Sequence, residues 1–299
     1  NKMAKVCIVT GASSGLGFET SKKMAALGYE VVLACRDKVK AKEAISRIKQ
    51  DSPDARLIYM NLDLASFSSI VKFTDCFHNL GKKLNVLVNN AAWMDKSGCR
   101  MPTFTEDGLE KTFVINYLGH FLMTLLLLDV LKSTAKFDVE ARIVLISSAV
   151  LKHSRSHSPA LDINDIQLLK PGSYTGRSAY KNSKTASVLF ALELHKQLQG
   201  SGVTCNVVNP GKYLRSTKLF RNQGCFARYF FPCFCPCSGT NLARAAGAVV
   251  FVATDSENKC VSGRFFVGGN ETAGHFETCD FDSAKQLWDL SKSMVANFL

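Results

Sequence analysis

Apolar and polar positions along this chain follow two patterns that take turns. Short apolar runs at Lys5 to Thr10 (KVCIVT), Glu30 to Ala34 (EVVLA), Arg56 to Leu62, Leu84 to Val88, Arg142 to Ile146 and Val203 to Val208 read as strands. Between them lie stretches with helical spacing: one running through Leu27 and closed by Gly28, a charged one from Lys38 to Gln50, then Ser66 to Phe77, Leu109 to Leu131, and one from about Tyr180 to Gln199 with Gly200 as its stop. Strands alternating with helices predict an α/β fold: a single Rossmann-type, doubly wound parallel sheet with helices on both faces. In such a sheet, ligand binds outside the carboxyl ends of the strands. A last strand is expected at Arg264 to Val267 and a terminal helix at Ala284 to Phe298. The polar, irregular stretch from Val150 to Arg177 reads as a loop over the site.

No Pro/Gly/Ser-rich linker, internal repeat or charge block divides the 299 residues, so one domain spanning 1–299 is expected. A formal charge of +12 raises the question of nucleic acid, but Lys and Arg are spread through helix-like segments instead of forming an aromatic-interleaved stripe. No nucleic-acid partner is expected, and the basic balance suits a phosphate-bearing cofactor. Eleven cysteines, several of them in apolar runs (Cys7, Cys35, Cys205), read as small core residues in a reducing compartment. The longest apolar run, Phe121 to Leu128, has a buried-helix length. The expected setting is intracellular, in the cytoplasm or on the cytoplasmic face of a membrane. The chain begins at Asn1, without Met and hard against the first strand, which leaves room for an upstream anchor or domain.

Chemistry then attaches to the strand ends. The first strand runs into Gly11-Ala12-Ser13-Ser14-Gly15-Leu16-Gly17 and a helix, a geometry that aims backbone N–H groups and a positive helix end at a pyrophosphate. After the second strand stand Cys35 and Arg36 where an acidic residue would hold a ribose 2′-hydroxyl; an Arg can pair with a 2′-phosphate, so the expected cofactor is NADP(H). Asp37 beside it could partly neutralise that charge. Asp63-Leu64 ends the third strand, where the Asp carboxylate could accept from an adenine amino group or cap the next helix. Asn89-Asn90-Ala91-Ala92 ends the fourth, with small residues that allow close backbone approach. Asn116 is a polar residue inside an apolar helix and must be satisfied there. Ser147-Ser148 ends the fifth strand, placing a hydroxyl where a carbonyl oxygen could sit, or serving as ordinary turn chemistry. Tyr180 and Lys184, four apart, share one helix face, so an ammonium group can stabilise the anion of a phenol that ordinarily titrates near ~10. His153 and His157 lack a Cys or carboxylate arrangement like a zinc motif, so no metal is expected.

Together Thr10 to Gly17 (T-G-x-x-x-G-x-G), Asn89 to Ala91 (N-N-A), Asn116, Ser148, Tyr180 to Lys184 (Y-x-x-x-K) and Pro210-Gly211 resemble the short-chain dehydrogenase/reductase family over nearly the whole chain. Leu33 to Asp37, Asn116 to Phe121 and Leu287 to Ser291 are similar to its retinol dehydrogenase branch, shared by WW-domain oxidoreductase and protochlorophyllide reductase. The resemblance implies that Tyr180 is the acid/base, that Ser148 holds the substrate oxygen, that Lys184 bonds the nicotinamide ribose and lowers the Tyr180 pKa, and that Asn116 holds a water joining Lys184 to solvent. It implies a cofactor site at Gly11, Ser13, Ser14, Gly15, Leu16, Gly17, Arg36, Asp63, Leu64, Asn90, Ala91, Tyr180, Lys184, Pro210 and Gly211. Two positions depart from the family pattern. Lys212 to Arg215 intervene before Ser216 and Thr217, where a Thr usually follows Pro-Gly closely, and Ser14 stands where many NADP-preferring members carry a basic residue.

The family places a substrate lid at about 212–240, and here Gly224 to Gly239 carries five aromatics and four cysteines. A greasy lid implies an apolar substrate, and an exposed one could touch a membrane surface peripherally. The expected function is interconversion of an apolar alcohol, retinoid-, steroid- or lipid-like, with its aldehyde or ketone. A reductase of small or xenobiotic carbonyls and a dinucleotide-binding scaffold or sensor working through a partner remain as alternatives. Oligomeric state is left open, with a homodimer compatible.

Overall fold

Each of the five residues of β1 (Val6–Thr10) is buried, because the sheet carries helices on both faces and alternate side chains serve two separate cores. Val6 and Ile8 enter one core, Cys7 and Val9 the other. The computed structural model of this chain describes residues 4–96, 98–138, 140–148, 161–211, 241–272 and 281–299. The other strands are β2 (Glu30–Cys35), β3 (Leu57–Asn61), β4 (Val86–Asn89), β5 (Ala141–Ile146), β6 (Val203–Asn209), β7 (Phe265–Val267) and β8 (Asn270–Glu271). They form one sheet of order β3-β2-β1-β4-β5-β6-β7-β8, parallel except for the last pair. This is the expected doubly wound architecture. β1 pairs with both β2 and β4, so the winding reverses between β1 and β4 and a crevice opens at the carboxyl ends of those two neighbours.

On one face lie α1 (Gly15–Ala26) and α2 (Lys38–Asp51). On the other are α3 (Phe67–Asn79), α4 (Lys111–Phe113), α5 (Gly119–Leu126), α6 (Leu128–Asp138) and α7 (Gly176–Gln197). The helix α8 (Leu242–Thr254) returns to the face of α1, and α9 (Phe281–Met294) packs on α7, followed by a 3₁₀ turn at Ala296–Phe298. The terminal helix thus begins three residues before its expected start.

The single helix expected over Leu109 to Leu131 is divided. Glu110 caps α4 with its carboxylate, a π-helical turn occupies Val114–Leu118, and α5 ends at Leu126 with Leu127 as its C-cap, beyond which α6 sets off at 51°. Apolar periodicity tolerates one inserted residue, so the turn that widens the helix around Asn116 leaves no mark in the pattern. Among the described residues no single helix is long and apolar enough to cross a membrane, and this bent pair passes only on length and composition. Its side chains line the core of that face.

Aromatic side chains lock α9 down. Trp288 meets Phe121 edge-on at 5.2 Å, and Tyr117 donates or accepts a 2.6 Å bond with the buried Ser291 hydroxyl. Tyr117→Phe leaves that serine buried without its partner. A loss of about 1–2 kcal/mol is expected, read as a lower urea midpoint with unchanged slope. An unchanged midpoint would show that Ser291 finds another partner.

Candidate active site

The turn after β1 is built on left-handed glycines, Gly11 (φ 66°) and Gly15 (φ 58°), a conformation that a side chain would strain. Gly17 is required for a different reason: a Cβ there would lie 2.6 Å from both Asn90 Nδ2 and the Gly11 carbonyl. Ser14, the N-cap of α1, makes no side-chain capping bond, and no acidic residue lies in the first turn. By contrast Asp37, Ser66, Thr175 and Asn241 cap α2, α3, α7 and α8. The open N–H groups and positive end of α1 therefore suit an anion. Ser13 bonds the buried Cys35 thiol, whose pKa burial pushes up to about 11, and Leu16 is buried under the turn.

Thr10 ties this turn to the end of β4. Its Oγ1 accepts the N–H groups of Asn90 (2.8 Å) and Ala91 (2.9 Å), and Asn90 Nδ2 donates to the Thr10 carbonyl at 2.7 Å. Two strand ends become one rigid floor.

Beyond β2, Arg36 reaches outward, its side chain 57% exposed, with the Asp63 carboxylate 3.9 Å away. Asp37 does not neutralise it: that side chain caps α2 through Lys40 N–H and pairs with the Lys40 ammonium. Nor does Asp63 cap α3, a task that falls to Ser66; Asp63 Oδ1 accepts from Ala65 N–H at 3.0 Å. Leu64 is buried, and its carbonyl lies where a Cβ on Gly119 would come within 2.6 Å, so α5 closes tightly over this strand end.

Tyr180 and Lys184 lie on α7, whose start is fixed by a reciprocal Thr175–Ser178 capping box. Both are buried, at 7% and 2% exposure. The Ser148 hydroxyl, just past β5, bonds the Tyr180 phenol, so hydroxyl and phenol converge at the carboxyl ends of the strands. Lys184 Nζ donates to the Ile146 carbonyl at 2.8 Å and stands 5.9 Å from the centre of the Tyr180 ring. The expected lowering of the phenol by this cation is not what the structure shows. Burial raises the Tyr180 pKa, opposed only by the Ser148 bond, while burial lowers Lys184 to about 8. Desolvation dominates both groups, and the ammonium is directed at the Ile146 backbone carbonyl.

The Asn116 amide is satisfied inside the fold. It accepts from Trp93 N–H (2.7 Å) and donates to the Trp93 carbonyl and to Ser183 Oγ, both at 2.9 Å. Since Ser183 sits between Tyr180 and Lys184, the amide clamps α7 to the strand-end loop. At the end of β6, Gly211 (φ 109°) donates its N–H to the Asn209 side chain, turning Pro210-Gly211 across the crevice edge. Two residues that the sequence motifs included without a role of their own complete the frame: Thr10, and His120, a second polar residue in the apolar run of Asn116 at helical spacing from it. That spacing was the available signal.

Among the described residues no group of three His, Cys, Asp or Glu could hold a metal ion. His153, His157, the lid expected at 212–240 and its cysteines lie outside the described residues, as does Ser216-Thr217. Cys7, Cys35 and Cys205 are free and buried.

The short chain dehydrogenase family model matches residues 5–160. Retinol dehydrogenase 13 of Mus musculus is 39% identical over 296 residues, spanning 97% of this chain and 84% of its own. WW domain-containing oxidoreductase of Gallus gallus is 35% identical over 293 residues, 97% of this chain and 68% of its own. The chloroplastic short-chain dehydrogenase TIC 32 B of Brassica napus is 35% identical over 297 residues, 96% and 88%. A crystal structure from Mycobacterium paratuberculosis superposes with TM-score 0.71 at 27% identity, covering 98% of this chain and 93% of that one. The Pseudomonas aeruginosa RhlG/NADP complex shares the fold at TM-score 0.67 and 21% identity, covering 89% and 95%. With the glycine turn, the strand-end floor and the Ser148–Tyr180–Lys184 grouping in place, the chain belongs to the short-chain dehydrogenase family of oxidoreductases.

Proposed function

We propose that this protein is an NADP(H)-dependent oxidoreductase that interconverts an apolar alcohol, retinoid-, steroid- or lipid-like, with its aldehyde or ketone. The observation that carries this reading is the bond between Ser148 and Tyr180 at the carboxyl end of β5, one helical turn from the buried Lys184 ammonium. A nicotinamide dinucleotide held in this crevice would supply the hydride in reduction and accept it in oxidation. Tyr180 donates the proton to the carbonyl oxygen in reduction and removes it from the alcohol in oxidation. Ser148 holds that oxygen with its hydroxyl, so developing negative charge meets a donor already in place. Lys184 supplies the positive charge behind the phenol, and Asn116 keeps α7 in register through Ser183. The open first turn of α1 and the turn at Gly11, Ser13, Ser14, Gly15, Leu16 and Gly17 would hold the pyrophosphate, with Asp63, Leu64, Asn90, Ala91, Pro210 and Gly211 lining the rest of the cofactor's path.

The preference for NADP rests on Arg36, exposed at the end of β2 where a 2′-phosphate would lie. Asp63 at 3.9 Å is a weak competitor for that guanidinium. Retinol dehydrogenases 13 and 14 of Mus musculus among the relatives support the substrate class.

The test is a panel of all-trans-retinal and a small polar aldehyde, each with NADPH and NADH. Retinal with NADPH should give the highest kcat/KM, and Arg36→Asp should cut the NADPH-over-NADH preference by about 10- to 100-fold, the worth of one charge-assisted hydrogen bond. Faster turnover of the small aldehyde would instead assign a broad carbonyl reductase. Dinucleotide binding with no turnover of any substrate would point to a scaffold or sensor.

A further inference from the structure

His120 is buried at 3% exposure, on α5 one turn from Asn116. Its Nε2 lies 2.9 Å from Thr10 Oγ1 and its Nδ1 3.2 Å from the Asn116 carbonyl oxygen. Thr10 Oγ1 accepts the N–H groups of Asn90 and Ala91, which leaves its own proton to give. The Val88 carbonyl is 3.4 Å away, farther than Nε2, so the imidazole is the better acceptor. Nε2 then accepts and Nδ1–H donates, since among the described residues the partner of Nδ1 is a carbonyl, which can only accept. Each donor in the chain finds one acceptor. Burial, helped by the Lys184 charge, drops the pKa of His120 to about 3, so the ring stays neutral.

The two ends of this chain of bonds are the two halves of the site. Thr10 opens the glycine turn and holds the β4 floor; Asn116 holds Trp93 and, through Ser183, the turn of α7 between Tyr180 and Lys184. The helix that carries His120 has no room to retreat, since Gly119 lies against the Leu64 carbonyl. We infer that His120 is a positioning residue that sets the dinucleotide turn relative to the Tyr180–Lys184 pair, through Thr10 on one side and Asn116 on the other. This rests on the function proposed above for that pair.

Three arms test it. The ring-nitrogen NMR shifts of His120 in the wild-type protein should report the Nδ1–H tautomer; an Nε2–H tautomer overturns the inference without any variant. His120→Phe, which keeps the ring and loses both bonds, should weaken NADPH binding in a fluorescence titration and lower kcat, each by about tenfold, the scale of one buried hydrogen bond. His120→Gln, which carries both an acceptor and a donor, should recover most of both. If His120→Phe lowers only the melting temperature, leaving Kd and kcat within twofold, the histidine is structural and the inference fails. Tyr180→Phe is run beside these: full turnover in that variant would break the proposed function, whereas the tautomer and the NADPH titration would still judge His120.

Discussion

Tyr180→Phe is expected to lower turnover of the preferred alcohol or aldehyde by about 10²- to 10⁴-fold, the usual contribution of a positioned proton donor, while NADPH binds within a few-fold of wild type. The substitution removes one oxygen from a buried ring that otherwise keeps its packing. Ser148 loses a partner at the edge of the crevice, where it is half-buried and open to water, so stability should change by less than about 1 kcal/mol. A direction follows from the phenol's raised pKa. Oxidation needs the deprotonated phenol, so its rate should climb with pH through the alkaline range; reduction uses the protonated form and should stay flat until the phenol titrates. Steady-state rates in both directions from pH 6 to 10, with a dinucleotide titration, give the check. Undiminished turnover in the variant would mean that another group moves the proton.

The strand ends explain why so much of this site could be read in the chain. The inner strands β1, β2, β4 and β5 are nearly continuous apolar runs, because helices cover both faces, and each stops where polar or small residues begin. A parallel sheet brings all of those stops to one edge. Gly11, Arg36, Asp63, Asn90, Ser148 and Pro210 are far apart in sequence yet needed no contact information to be placed together. What stayed hidden depended on side-chain partners. Asp37 was the carboxylate expected to neutralise Arg36, and only its capping bond to Lys40 N–H and the 3.9 Å approach of Asp63 show that a different one stands nearer. The π turn at Val114–Leu118 is invisible to periodicity, and with it the way the Asn116 amide reaches Trp93 and Ser183. The four-residue spacing of Tyr180 and Lys184 gave a shared face but not the direction of the ammonium, which a carbonyl of β5 decides.

Lys184→Met should abolish turnover and, at neutral pH, make the protein more stable. The ammonium is buried with the Ile146 carbonyl as its hydrogen-bond acceptor, and burial lowers its pKa from 10.5 to about 8. With the folded-state pKa below the unfolded one, the unfolded chain binds the extra proton between these values. Stability of the wild type therefore rises as pH climbs from about 8 to 10.5 and is lowest, with respect to this group, below about 8. The penalty on the charged form is on the order of 3 kcal/mol. Methionine of similar length escapes it but leaves the Ile146 carbonyl without its donor, which costs about 1–2 kcal/mol. A net gain on the order of 1–2 kcal/mol is expected at pH 6–7, and it should disappear as pH climbs from about 8 to 10.5 and the folded wild-type amine becomes neutral. Urea unfolding of both proteins at pH 6.5 and 10 measures the difference. A variant less stable than wild type at both pH values would mean that the ammonium is well paired in the folded protein, and the charge behind Tyr180 would then be held without strain. The expected result has the opposite meaning: the fold gives up stability to keep a cation in a dry place, one helical turn from a phenol that burial holds protonated.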